Sequence, residues 1–310
     1  AAEDTDSEGA IEGEVTYSLP SDKHRSMVSI DPLTGLLRSR KALDRERRAL
    51  YDILVMASDT SGHVGFTSVR LTVTDVNDNV PKFMLPEYLA CVPSNLTVNS
   101  AFLKVRATDA DKGPAAQVTY TLQSPPDSEI HQLFGVHPIS GTLYLQQPVL
   151  SLEGQVYQFF VRATDRGSPS LHSDVPVRVY IMDFNDELPA FQRTDETFFI
   201  PEDAPLGYNI TQLVLSTPLQ VDYRLLATGS QFSVSQEGRL YLSAALDREA
   251  VAVHTLGAVA QSRAAPRLAT LDAITVVVLD SNDNRPVFHS GLYRTAVAEN
   301  VAVGTSIMQV

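Results

Sequence analysis

The chain has 310 residues, 44% of them hydrophobic and 20% charged, with a formal net charge of −13. That composition is globular rather than disordered, and the acidic surplus argues against a nucleic-acid partner, which needs a surplus of Lys and Arg. A single cysteine, Cys91, excludes a disulfide within the chain, and the best uninterrupted apolar run, Ile274 to Leu279, is the length of a strand and not of a membrane span.

Taken in chain order, the elements repeat. The chain opens on an acidic segment, Glu3-Asp4-Thr5-Asp6, with no signal peptide before it. A tight turn is expected at Thr34-Gly35, and one turn of helix around Ala42 to Ala49. Ile53, Val55 and Ala57 then alternate ahead of Ser58-Asp59, and Val69, Leu71 and Val73 ahead of Asp75-Val76-Asn77-Asp78-Asn79. Leu103, Val105 and Ala107 predict a strand that runs into Thr108-Asp109-Ala110-Asp111. The turn returns at Ser140-Gly141, and Tyr157, Phe159, Val161 and Ala163 lead into Thr164-Asp165. Val177, Val179 and Ile181 end at Asp183-Phe184-Asn185-Asp186-Glu187. The turn appears a third time at Glu237-Gly238, and Ile274, Val276 and Val278 end at Asp280-Ser281-Asn282-Asp283-Asn284.

A period of two gives each strand one inward face. The acidic closures begin at 75, 183 and 280, and the turn glycines stand at 35, 141 and 238. Two unrelated markers keep one period of roughly a hundred residues, the size of a small sandwich domain. Each closure is followed by Pro81, Pro189 or Pro286. Proline cannot donate to a sheet ladder, so it marks where one sheet stops and the next begins. The expected architecture is all-β: antiparallel sandwiches in tandem, joined end to end by short linkers. Cys91 reads as a small, half-buried strand residue rather than a nucleophile.

Hard oxygen donors this dense, at the end of a strand and before a proline, look like half of a calcium site placed between two domains. A single acidic cluster is usually a solvated face, but three phased copies reverse that judgement. An EF-hand is excluded: Asp4-Thr5-Asp6-Ser7-Glu8-Gly9 starts well, but Val15 stands at the twelfth position and no helices flank the segment. Paired carboxylates also serve glycosidases, yet enzymes seldom triplicate an active site along a rod. His24, His63, His131, His137, His172, His254 and His289 are scattered without zinc spacing. Neither a phosphate loop nor a Gly-x-Ser-x-Gly elbow is present, so the chain is not expected to be an enzyme.

The closures, together with Leu43-Asp44-Arg45-Glu46, Leu246-Asp247-Arg248-Glu249, Ala107-Thr108-Asp109-Ala110-Asp111, Ala163-Thr164-Asp165 and Ala298-Glu299-Asn300, resemble extracellular cadherin repeats over essentially the whole chain. The resemblance implies seven-stranded, immunoglobulin-like Greek-key sandwiches. It implies repeats over 1–79 (lacking the opening strand), 80–187 and 188–284, and the start of another over 285–310. It also implies Ca2+ as the bound ion. For the first junction it implicates Asp44, Glu46, Asp75, Asn77, Asp78, Asn79, Asp109, Asp111 and Asp165. Asp4, Asp6 and Asp59 fall to an upstream junction. Glu202, Asp247, Glu249, Asp280, Asn282, Asp283 and Asn284 fall to a third junction, partly liganded here. Calcium takes six to eight oxygens at about 2.3–2.6 Å, more than one strand supplies, so ligands from two repeats would share an ion and stiffen the joint.

The second junction departs from the family pattern. Ser94 stands where a Glu is expected, and Ser151-Leu152-Glu153 has lost the Asp of the Asp-Arg-Glu triplet. Val214-Leu215-Ser216-Thr217-Pro218 holds no Asp-x-Asp pair, and Ala260-Gln261-Ser262 no Asp. Glu153, Asp183, Asn185 and Asp186 remain, with Glu187 or Asp195 as substitute donors. This joint is expected to bind calcium weakly or not at all, and to be flexible or bent unless packing around Leu188 and Phe191 stiffens it. Asn95-Leu96-Thr97 and Asn209-Ile210-Thr211 are glycosylation sequons. The expected function is calcium-dependent cell–cell adhesion by an extracellular rod whose partner is another cadherin ectodomain, homophilic or heterophilic. The alternative is a non-adhesive calcium-binding spacer within a larger receptor. Either way the parent is expected at the cell surface, anchored in the membrane outside this stretch. The chain has no Trp, unlike the outermost repeat of cadherins that swap a Trp-bearing strand, and so resembles internal repeats of the Fat, Dachsous or protocadherin-related groups.

Overall fold

The computed structural model describes residues 15–21, 25–125, 128–226, 231–286, 295, 297, 299 and 301–308. The chain forms two compact units, one of residues 1–76 with 283–310, the other of 77–282.

In the first unit, β1 (Thr16–Ser18), β4 (Leu50–Ser58) and β5 (Val64–Thr72) form an antiparallel sheet, and β2 (Val28–Ile30) pairs with β3 (Leu37–Ser39). Tyr51, Ile53 and Val55 point inward from β4 onto Leu19 and Val28, as the alternation predicts. The helical turn expected at 42–49 stays a single turn. Asp44 Oδ1 accepts from the Arg47 amide at 2.9 Å and the Asp44 carbonyl from the Arg48 amide at 3.0 Å, after which the chain enters β4.

The second unit contains two sandwiches. The central one comprises β6 (Lys82–Phe83), β7 (Tyr88–Pro93), β8 (Ala101–Lys104), β9 (Ala107–Thr108), β10 (Thr119–Gln123), a one-turn α1 (Ile130–Leu133), β11 (Phe134–Val136), β12 (Thr142–Leu145), β13 (Val156–Thr164) and β14 (His172–Met182). Its sheets are ordered β10-β13-β14-β7 and β11-β12-β8. The strand expected through Leu103, Val105 and Ala107 is broken in two. β8 pairs with β12 while β9 pairs with β6, and the fully buried Val105 turns the corner by donating its amide to the Gly141 carbonyl at 2.9 Å. A β-carbon at Gly141 would lie 2.4 Å from that Val105 carbonyl oxygen, and its φ is +68°, so glycine is required there twice over.

The C-terminal sandwich comprises β15 (Thr197–Pro201), β16 (Asn209–Gln212), β17 (Val221–Leu226), β18 (Phe232–Val234), β19 (Arg239–Leu242), β20 (Val253–Ser262) and β21 (Ala269–Leu279), with sheets β15-β21-β20-β17 and β16-β19-β18. In both sandwiches the opening strand runs parallel to the closing one: β7 beside β14 with Pro93 opposite Met182, and β15 beside β21 with Pro201 opposite Leu279. Alternate inward residues build separate cores, Val161, Val177, Val179 and Phe134 in the central sandwich, Leu240, Leu242, Ile274 and Val276 in the C-terminal one. The shared parallel register fixes positional equivalence at the poles, since the residue after Pro93 and the residue after Pro201 occupy the same place.

Candidate metal centres

The nine residues expected at the first junction divide between the two units. In the first unit, Asp44 caps its own turn as described, and Arg45 lies between Glu46 and Asp75, ion-paired to both. This pairing was not anticipated from sequence. Asp59, expected to face upstream, accepts from the His63 amide at 2.8 Å and lies 2.9 Å from the His63 ring. That hydrogen bond to the His63 side chain holds its pKa below the usual carboxylate range. Asp4 and Asp6 lie outside the described residues.

In the second unit, the last residues of the first closure are knitted to the central sandwich by amides. Asn77 Nδ2 donates to Asp165 Oδ2 at 3.1 Å and to the Pro169 carbonyl at 2.6 Å. Asn79 donates from its backbone to Asp111 Oδ2 at 3.3 Å and from Nδ2 to Asp111 Oδ1 at 2.7 Å. Asp109 Oδ1 accepts from the Asp111 amide at 2.9 Å, and Asp165 accepts from the amides of Gly167 and Leu171 at 2.9 and 3.0 Å. Asp78 and Asp111 offer carboxylate oxygens within 4.8 Å of each other. A β-carbon at Gly167 would lie 2.2 Å from Asn77 Nδ2, so this glycine makes the seat for Asn77.

Asp111 and Asp165 are 5% and 3% exposed, and among the described residues neither has a cationic partner. Buried carboxylates are ordinarily paired or metal-bound, because an uncompensated buried charge is costly. An all-oxygen donor set with buried, cation-free carboxylates fits a hard divalent ion such as calcium.

At the far pole of the C-terminal sandwich, Glu202, Glu249 and Asp280 offer carboxylate oxygens all within 4.8 Å of one another. The Glu202 amide donates to the Leu279 carbonyl at 3.1 Å, which fixes it at the end of β15. It is 8% exposed. Its Oε1 accepts from the Arg248 amide at 2.5 Å, and its Oε2 is buried with no partner among the described residues. An orphaned, buried carboxylate oxygen inside a carboxylate cluster again fits a cation. Arg248 also reaches Glu249 at 3.1 Å and Asp280 at 2.9 Å, a second Arg between two carboxylates like Arg45. Asp247 caps its turn through the Ala250 amide at 2.9 Å. Asn282 is exposed, and Asp283 accepts from Asn284 Nδ2 at 2.9 Å.

The corresponding pole of the central sandwich is built differently. The Ser94 amide donates to the Met182 carbonyl at 2.9 Å, as Glu202 does to Leu279, so Ser94 is the positional equivalent of Glu202. Ser94 is 2% exposed and donates from Oγ to Glu153 Oε1 at 2.6 Å. Asn185 does not reach out as Asn77 does: its backbone and side-chain amides both bond Asp183 Oδ1 within the same loop, at 2.9 and 3.0 Å. Asp186 and Glu187 are exposed, and Asp195 donates its backbone amide to Asp272. No cluster of three carboxylates forms at this pole among the described residues. On the facing loops, the Phe191–Leu215 bridge matches the Phe83–Ala107 pairing, which puts Thr217 and Leu219 where Asp109 and Asp111 stand. Ser262 donates its amide across its hairpin to Leu268, as Asp165 does to Leu171, so Ser262 replaces Asp165. Both sequon asparagines, Asn95 and Asn209, are exposed.

A cadherin-domain family model matches residues 1–74 and 88–182, more than half of the chain. Among curated relatives, the Drosophila melanogaster Fat-like cadherin-related tumor suppressor homolog is 32% identical over 95% of this chain. Human protocadherin Fat 1 is 31% identical over 99% of it. The chain spans only 6% and 7% of those two proteins. Among solved structures, mouse cadherin-23 EC22-24 is 25% identical with a TM-score of 0.52, covering 91% of this chain and 90% of that one. Domains 3–6 of protocadherin gamma B2 share the fold at 23% identity and a TM-score of 0.51, over 87% of this chain and 69% of theirs.

Proposed function

The chain belongs to the cadherin family as an extracellular cadherin-repeat segment, and from that premise we propose that it is a length of calcium-stiffened rod in a cell–cell adhesion receptor. The repeats run over 1–79, 80–187, 188–284 and 285–310. The observation that carries the calcium reading is the pair of buried, cation-free carboxylates Asp111 and Asp165, reinforced by the orphaned oxygen of Glu202. Asp109, Asp111, Asp165, Asp78, Asn77 and the Asn79 carbonyl would hold the ion within the second unit, and the family resemblance adds Asp44, Glu46 and Asp75 as further candidate ligands. Glu202, Asp247, Glu249, Asp280, Asn282, Asp283 and Asn284 would form part of a further site. Calcium supplies the positive charge that lets these carboxylates sit together. The protein's own part is to pre-position them with backbone and asparagine amides.

The second junction is calcium-poor in this reading. Its Glu is a serine, Glu153 is engaged by that serine, and the facing acidic positions are Thr217, Leu219 and Ser262. Adhesion to another cadherin ectodomain, membrane anchoring of the parent and glycans on Asn95 and Asn209 complete the proposal. A non-adhesive spacer segment is the other reading, and bead aggregation by the isolated chain separates the two. Calcium titration calorimetry tests the sites themselves. Extracellular modules bind with Kd of about 10⁻⁴–10⁻³ M, and substitution of both Asp111 and Asp165 by Asn should remove the main binding heat. A full calorimetric signal in that double variant would overturn the assignment.

A further inference from the structure

The joint between the central and C-terminal sandwiches, proposed above to be calcium-poor, carries a set of contacts away from the poles. The β20–β21 hairpin, whose turn begins at Ser262 in place of the carboxylate, lies against the outer face of the central sandwich. Among the described residues, the thiol of Cys91, on the outward side of β7, bonds to that hairpin: its Sγ lies 3.3 Å from the Ala269 carbonyl, 3.4 Å from the Ala269 amide and 3.6 Å from the Arg267 carbonyl. Arg267 donates to the Gly154 carbonyl at 3.1 Å, and its guanidinium stands 6.0 Å from the Tyr180 ring centroid. Arg224 of β17 pairs with Glu87 at 3.3 Å. Deeper in, Leu271 packs on the central core, and a β-carbon at Gly257 would lie 3.2 Å from Leu85 Cδ2.

These contacts form one continuous seam. From Leu85 through Glu87 to Cys91, the partners step from Gly257 through Arg224 to Ala269. Gly257 lies opposite Ala273 on β21, so β7 runs against the sense of β21. It combines buried apolar surface, a cation over an aromatic ring and opposite charges, the ingredients of a specific interface. The carboxylate within it, Glu87, is paired with Arg224.

We propose that this joint is held by the flank seam instead of by calcium: the β20–β21 hairpin, freed of its ligand role, docks through Arg267 and Leu271 on the β7–β14 face of the preceding sandwich. The joint is therefore set in one geometry whether calcium is present or not. The inference rests on the reading of this junction as calcium-poor only for its insensitivity to calcium. The seam itself stands on the contacts.

The test is the alkylation rate of Cys91, the chain's single thiol, in the full chain with calcium and with chelator. Burial pushes this thiol's pKa up, so at mildly alkaline pH the native rate should be at least tenfold below that of the denatured chain, equally in both conditions. Arg267→Glu and Arg224→Glu should each accelerate it several-fold with circular dichroism unchanged, and Glu87→Arg combined with Arg224→Glu should return it to the native rate. Small-angle scattering should show a longer maximum dimension for Arg267→Glu. A native thiol reacting as fast as in denatured protein overturns the seam, as does a double reversal that restores nothing. Calcium bound at Glu153 and Asp183 with Cys91 still protected would sink only the calcium-poor reading. Protection lost on adding calcium would sink the insensitivity.

Discussion

The central and C-terminal sandwiches carry the same pole in two states. After Pro201 the chain places Glu202, whose orphaned oxygen joins Glu249 and Asp280 in one carboxylate cluster. After Pro93, with the same strand pairing and the same backbone bond, it places Ser94, which closes a hydrogen bond to Glu153, and among the described residues no cluster of three carboxylates forms there. A glutamate here makes a pole that is electrostatically incomplete alone. A serine makes one that is satisfied within its own sandwich. The fold is indifferent to the exchange, because the strand register is set by alternating apolar residues. In the proposed function the joint is not, because its stiffness would depend on whether charge must be shared across it.

The largest expected effect comes from breaking the proposed calcium site around Asp111. Asp111→Asn should weaken calcium binding at least about tenfold, roughly 1.4 kcal/mol, and abolish most of the calcium-induced rise in melting temperature. In chelator it should be neutral or stabilising, because it removes a buried charge. Strong destabilisation in chelator would show that Asp111 serves the fold and not an ion. Next, Gly167→Ala puts a methyl group into Asn77 and should cost about 1–3 kcal/mol by overpacking. Thermal unfolding would expose a neutral outcome, which would mean the Asn77 seat is not built as described.

A smaller pair of substitutions sharpens the contrast between poles. Ser94→Ala removes one buried hydrogen bond and should cost about 1 kcal/mol, identically with and without calcium. Glu202→Gln should change little in chelator yet lower the calcium response of its pole. Equal calcium dependence in the two variants would erase the distinction drawn here. The smallest effect is in acid. The Arg162 hydrogen bond holds Asp174 below the usual carboxylate range. Its contribution is present above the unfolded value near 3.9 and is lost as the pH falls through the lower folded value. Asp174→Asn should therefore flatten the acid limb of stability below about pH 4, by well under 1 kcal/mol for so exposed a pair.

Much of this was legible in the chain. The strands through Ile53, Phe159, Val177 and Ile274 form where alternation places them, and the three turn glycines all take positive φ. Alternation failed at Val105, where inward residues belong to two different sheets. A period of two cannot register a strand that changes partners. The acidic motifs marked the poles, but not the arginines that lie among them, Arg45 and Arg248, nor the seat that Gly167 makes for Asn77. The exchange of Glu for Ser94 was readable, whereas its bond to Glu153 was not.

By itself, the order of residues determined which faces of the strands are buried and which poles are rich in carboxylates, since these follow from local periodicity and chemical type. Only the tertiary structure decided which carboxylates are buried without a cation, which are already bonded within their own loop, and that Cys91 and Arg267 meet across 176 residues of chain. Those outcomes depend on desolvation and on distances between segments remote in sequence, and neither quantity is carried by any short stretch of the chain.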